Sequence, residues 1–388
     1  MASVSTFDQR PLSPAGLHPM KLPSMLVHSF LACAGALTPA SALATTEGAR
    51  HFFTLPRHGS PDGPHLQVLP WNGHHAALTL TFDDSSPSEA NEALPVLDDK
   101  GVKATFFVTE KNLWSDALDA TWANAEREGH ELGNHTVDHC HARELGHGGC
   151  LSAKAEVERC NAFIESKLGA TDVYTFAYPY VDEHGGYKRV AESDFLLARA
   201  GAGGLVGAST TPDWYSMDAR FIEPTRGETL ADWDGWVDEA VQRGKWLVLV
   251  FHSILPEAWY EGIPKETLGA IVDHAKGASD LWIDTFVNVG AYLRAERLFA
   301  GLKPVQHAGG ATFHWTLPRH FPPGKSLRVM IDRGGLSQNG VPLAPDAGGV
   351  FTVALDAKEL AWTPNRRERA VDAAVTRGTA TPADLARP

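Results

Sequence analysis

Trp246-Leu247-Val248-Leu249-Val250-Phe251 is an unbroken apolar run set between Lys245 and His252. A strand with one wet face alternates apolar and polar residues, so a run that is apolar throughout is buried on both faces, as in parallel sheets. Working outward, similar short runs recur at Ala77–Phe82, Lys103–Val108, Glu131–His135, Tyr174–Pro179, Phe195–Ala200, Arg220–Ile222 and Leu281–Phe286. Helical spacing of apolar residues fills the intervals at Ser88–Lys100, Ser115–Glu128, Ser152–Leu168, Leu230–Arg243 and Pro264–Lys276. Strand and helix in alternation make an α/β fold with a parallel sheet. So many units predict a (β/α) barrel of seven to eight strands rather than an open sheet, placed at residues 76–302.

The pattern changes beyond the barrel. Thr312–Leu317, Ser326–Ile331 and Val350–Leu355 read as strands joined by turns such as Gly334-Gly335 and Asn339-Gly340. A small all-β, sandwich-like module is therefore expected at 303–362, followed by a polar, alanine-rich tail at 363–388. Residues 45–75, rich in proline and histidine, read as a lead-in segment. Residues 1–44 read as an export signal: Lys21 precedes an apolar, small-residue stretch that ends in Ala42-Leu43-Ala44. That places the mature protein in a periplasm or outside the cell, with lipid attachment at Cys33 as the alternative. No later stretch is apolar for long enough to span a bilayer.

Charge narrows the partners. With 34 Lys and Arg against 47 Asp and Glu, the formal net charge is −13. Such a field repels phosphate backbones and argues against nucleic acid. After signal removal Cys140, Cys150 and Cys160 remain, enough for one internal disulfide; Cys140 can reach either partner, and spacing does not choose.

Polar groups gather at the carboxyl ends of the strands, where barrels build their sites. Thr81-Phe82-Asp83-Asp84 ends the first strand. Taken alone, an Asp pair there is an ordinary helix-capping turn. His135-Thr136-Val137-Asp138-His139 ends the third strand, and histidines four apart can face one metal ion. Asp84 with His135 and His139 would leave coordination positions open, as a catalytic divalent ion needs. The neighbouring His130, His141 and His147 read as solvated loop residues. His252, just after the apolar run, becomes a general-acid candidate if it shares the rim with that metal.

The order TFDD, HTVDH, FAYPY, a DW pair and VLVFHS resembles the polysaccharide deacetylases with the NodB homology domain, carbohydrate esterase family 4, over roughly residues 76–300. The resemblance implies Asp83 as catalytic base and Asp84, His135 and His139 as ligands of a divalent metal, Zn²⁺ first, with Co²⁺ or Ni²⁺ as alternatives. It implies His252 as catalytic acid and Tyr180 as donor of a backbone N–H to the oxyanion. Asp213 would orient the catalytic histidine, Trp214 would wall the acetyl pocket and Val250 would line it. The implied substrate is an acetylated polysaccharide or oligosaccharide, N-acetyl before O-acetyl. Trp259, in the loop after His252, is the best-placed aromatic for stacking on sugar.

Two positions depart from the family pattern. Ala177 stands where an arginine usually contacts the base aspartate; either another residue, Arg199 or Arg226, takes its place, or the base is tuned differently. Ser85 stands where glycine is usual. The loss at Ala177 keeps open a catalytically silent carbohydrate-binding protein; a cyclic-amide hydrolase on the same barrel is the other alternative.

Overall fold

The computed structural model describes residues 64–365, apart from 114, 208–210 and 258. The export signal with Cys33, most of the lead-in segment and the tail from 366 lie outside the described residues.

Seven strands form the barrel: β1 (Ala76–Asp83), β2 (Thr105–Val108), β3 (Glu131–Asn134), β4 (Thr175–Ala177), β5 (Leu197–Arg199), β6 (Arg220–Phe221) and β7 (Lys245–Phe251). Each pairs in parallel with its successor from β1 to β5, and β7 pairs in parallel with both β6 and β1. The ring closes between β5 and β6 through one bridge, Arg199 to Met217, with the Met217 N–H donating to the Ala198 carbonyl. So narrow a closure is what makes the barrel distorted. The sheet also takes in Leu281–Ile283, parallel to the start of β1, and Val206–Gly207, antiparallel to the start of β7.

Alternation along β1 sorts its side chains. Leu78, Leu80 and Phe82 pack outward beneath α1 (Leu94–Asp99), α2 (Asp116–Arg127), α3 (Ala153–Leu168), α4 (Tyr187–Asp194), α5 (Leu230–Arg243) and α6 (Lys265–Gly277). Ala77 faces the interior, filled by Phe107, Ala177, Leu197, Trp246, Val248 and Val250. By the same alternation Thr79, Thr81 and Asp83 point inward, the last at the carboxyl end of the strand.

A further helix, α7 (Phe286–Ala300), plugs the amino-terminal mouth. Its first turn is pinned by Glu131, the buried first residue of β3, which accepts the Val287 N–H at 2.8 Å and the Thr105 and Thr175 hydroxyls at 2.7 and 2.5 Å. The sequence reading carried a strand through Phe286; it ends at Ile283. Because α7 is buried around most of its circumference, it lacks the one-sided stripe that reveals a surface helix.

The C-terminal module is a sandwich of two antiparallel sheets. Five strands, Val305–His307, Gly310–His314, Glu359–Thr363, Gly335–Gln338 and Val341–Pro342, make one. Leu66–Val68, Ser326–Ile331 and Phe351–Ala354 make the other. Part of the segment read as a lead-in thus supplies a strand to this module, pairing with Ser326–Ile331. Phe313, Leu360, Leu327 and Val353 from both sheets share one core with Tyr292, Ala295 and Phe299 of α7.

Candidate active site

Two turns carry the acidic and histidine motifs, and the segment after β2 bolts them together. The Asn112 side-chain amide donates to the Asp84 carbonyl at 2.8 Å, while the Glu110 and Lys111 N–H groups donate to the Thr136 and Val137 carbonyls. Both turns need left-handed backbone: Asp84 lies at φ 83°, Ser85 at 55°, Thr136 at 73° and His139 at 52°. Ser85 accepts this conformation, which glycine would adopt freely, and its Oγ receives the Thr109 N–H at 2.9 Å.

The three candidate ligands converge. One donor atom each from Asp84, His135 and His139 lies within 4.8 Å of the others. His139 Nε2 stands 3.4 Å from Asp84 Oδ1 and 3.1 Å from His135 Nε2, and His135 Nε2 stands 3.7 Å from Asp84 Oδ1. His135 Nδ1 donates to the Ala177 carbonyl at 2.8 Å, which fixes the tautomer and turns the Nε2 lone pair toward the cluster. Burial is the main reason both imidazoles are pushed down to a pKa of about 4, so they are neutral at pH 7 and able to ligate. Two neutral imidazoles and one carboxylate are a donor set that suits a divalent ion.

Asp83 is almost wholly buried beside this cluster. Burial alone would raise its pKa, but the Arg199 guanidinium, and after it His135 and His252, hold it below the usual carboxylate range. Arg199 reaches Asp83 Oδ2 from β5, from the position registered against Ala177 on β4. The cation absent at Ala177 is therefore delivered by the adjacent strand. Arg199 is itself buried, with the rings of Phe107 and Phe221 5.3 and 5.4 Å from its guanidinium. Arg226 pairs with Glu223 instead. Asp83 Oδ1 is buried without a hydrogen-bond partner, as expected of an oxygen that receives a proton during reaction.

His252 follows β7 between two rings, Phe221 at 6.2 Å and Tyr260 edge-on at 4.7 Å. Burial depresses its pKa, against the opposing charges of Asp83 and Asp84. Its Nδ1 has no hydrogen-bond partner. Asp213, expected to orient it, instead accepts from Lys188 Nζ at 2.7 Å and from the Tyr215 N–H at 3.0 Å. Trp214 lies against Arg294, whose guanidinium is 5.0 Å from the ring, and Val250 is buried on the inner face of β7.

Tyr180 sits in the turn after β4 at φ 56°, about half exposed, its ring stacked on His141 at 3.5 Å and near His139 at 4.5 Å. Trp259 and Tyr260 are about half exposed on the loop after His252. That loop is tied by the N–H groups of both residues to Ser253 Oγ, and by Ser88, whose Oγ accepts the Ile254 N–H and whose N–H donates to Glu257. His130, read as solvated, is buried: its Nδ1 accepts the Ala104 N–H and its Nε2 meets Asp98 at 3.1 Å. Sequence reasoning did not find Asn112, because an asparagine does not mark a site without its neighbours.

The barrel, the carboxylate pair and the three convergent side chains define an α/β barrel with a candidate metal site at its carboxyl rim. Residues 72–194 match the family model described as polysaccharide deacetylase, so over that segment the resemblance read from the motifs is shown. A chitin deacetylase from Pestalotiopsis sp is 35% identical over 99 residues, 25% of this chain and 32% of the relative. A protein from Arthroderma benhamiae, named a probable peptidoglycan-N-acetylglucosamine deacetylase, is 31% identical over 104 residues, 26% of this chain and 24% of the relative. The chain thus spans a third or less of the length of these relatives. Among solved structures, the Xyl-CE4 domain of a multidomain xylanase from the hindgut metagenome of Trinervitermes trinervoides is 20% identical, with 62% of this chain and 97% of that one covered at a TM-score of 0.40.

Proposed function

We propose that this protein is an exported, metal-dependent hydrolase that removes acetyl groups from a polysaccharide or oligosaccharide. The observation that carries the reading is the convergence of Asp84, His135 and His139 beside a buried Asp83 that is ion-paired to Arg199. A divalent ion held by those three ligands supplies Lewis acidity, lowering the pKa of water and polarising the acetyl carbonyl. Zn²⁺ is the first choice by ligand type, with Co²⁺ or Ni²⁺ as alternatives.

The chain's own groups divide the remaining work. Asp83 takes the water proton on Oδ1, with Oδ2 held by Arg199. The Tyr180 N–H contributes to the oxyanion site. His252 protonates the departing amine, its ring confined by Phe221 and Tyr260. Val250 bounds the acetyl pocket in this reading. Trp214, packed on Arg294 of the helix at the opposite mouth, and Asp213, paired with Lys188, are left out of it. The missing arginine at Ala177 is the ground for a silent carbohydrate-binding protein, and the Arg199–Asp83 pair weighs against that reading. No described helix is long and apolar enough to cross a membrane.

N-acetyl sugars are the favoured substrate, in keeping with the matched relatives named for chitin and peptidoglycan deacetylation. Acetate release from N-acetylated chito-oligomers should exceed that from acetylated xylan. Trp259→Ala should raise KM for long oligomers about tenfold, consistent with loss of 1–3 kcal/mol of stacking, and leave kcat within twofold. Faster release from xylan would assign the site to ester chemistry. An unchanged KM would remove Trp259 from the substrate path.

A further inference from the structure

His139 is held in place by groups that do not belong to the ligand set. Glu156, on the first turn of α3, is fully buried, and its carboxylate grips both ends of the segment that runs from within the ligand turn to Leu151. Oε2 accepts the N–H groups of Val137 and Asp138 at 3.1 and 2.9 Å, and Oε1 accepts the Leu151 N–H at 2.9 Å. Just inside those ends, Cys140 is disulfide-bonded to Cys150. Cys140 directly follows His139, and its carbonyl accepts the Tyr187 hydroxyl at 3.2 Å. Between the two cysteines, Arg143, Glu144 and Gly146–Gly149 are exposed, and Cys150 is itself partly exposed. His139 meanwhile occupies left-handed backbone at φ 52°, uncommon for any residue but glycine, and these external ties help to hold it there.

We propose that the Cys140–Cys150 disulfide and the Glu156 carboxylate form a clamp that sets metal affinity through His139, and that reduction of the disulfide weakens the metal site. The inference rests on the metal reading of the proposed function. Reduction takes two electrons from a dithiol: the Cys140–Cys150 bond breaks, each sulfur gains a proton, and the dithiol closes to its own disulfide. His139 then keeps only non-covalent ties, through Glu156, the Tyr187 hydroxyl and the Glu110 and Lys111 N–H groups, and the spacing of the ligand set is held less tightly.

The test measures Zn²⁺ affinity by competition with a chromogenic chelator, using the full chain in four states. These are wild type oxidised, wild type reduced by a dithiol and desalted without oxygen, C140S/C150S, and Glu156→Gln. Far-UV circular dichroism monitors folding. Affinity should fall about tenfold to a hundredfold in the three altered states, with the spectrum retained. Acetate release should return when Zn²⁺ is raised above the new Kd, a rescue that a purely structural defect would not show. Affinities within twofold of oxidised wild type would overturn the clamp. If either variant fails to fold, the reduced wild type decides by the same criterion. Oxidised wild type that binds no Zn²⁺ would overturn the metal reading and the clamp together; one that binds it while the altered states bind equally well overturns the clamp alone.

Discussion

Asp84→Asn should lower kcat/KM on the order of 10³-fold, about 4 kcal/mol of transition-state stabilisation, and abolish the stoichiometric metal binding proposed for the site. Asp84 is the only anion among the three convergent ligands, so its loss leaves two neutral imidazoles facing a dication. Asparagine is the right replacement because position 84 lies at φ 83°, which asparagine tolerates and alanine does not. The Asn112 tie is to the Asp84 backbone carbonyl and survives the change. The fold should therefore be intact, with thermal stability close to that of the wild-type protein without metal. Metal analysis and acetate release on the same preparation check this. A variant that keeps both metal and turnover would show that Asp84 is not a ligand.

Arg199→Met is the second large effect. The guanidinium is the principal charge that offsets the burial of Asp83. Without it, desolvation dominates, the Asp83 pKa rises, and the deprotonated base is lost at higher pH. The acid limb of the kcat/KM profile should move upward and activity at neutral pH fall about a hundredfold, within the range for impaired general-base catalysis. Breaking a buried ion pair also costs about 3–5 kcal/mol of stability, so a loss of activity alone would be ambiguous. The double variant Ala177→Arg with Arg199→Ala resolves it. The two positions are registered on adjacent strands, and the double variant returns the cation to the family's usual place. It should recover much of the activity and restore the acid limb. Failure of a folded double variant to recover, together with an unmoved acid limb in Arg199→Met, would show that Arg199 does not tune Asp83.

The parallel barrel was legible because its strands advertise burial on both faces, as Trp246–Phe251 does, and because Ser88, Ser115 and Ser152 punctuate the helices that follow. α7 was not, since a helix wrapped by core on most sides carries no stripe. The strand Leu66–Val68 was hidden for another reason: its partner lies far along the chain, and local pattern says nothing about that pairing. At the site, the convergence of Asp84, His135 and His139 could be anticipated because a metal site would demand particular side chains at fixed offsets. Arg199 could be named only as one of two candidates, because registry between β4 and β5 belongs to tertiary structure. The choice of Cys150 over Cys160 as the partner of Cys140 followed the fold in the same way: Cys160 is buried on α3, its thiol directed at the Val108 carbonyl.

The most direct test of the central claim is a titration of metal-free protein with Zn²⁺, following acetate release from N-acetylated chito-oligomers. Activity should be absent without metal, rise linearly with added Zn²⁺, and level off at about one equivalent per chain, the number a single three-ligand site can hold. Full acetate release from rigorously metal-free protein, or none from protein shown to carry one bound Zn²⁺, would contradict it.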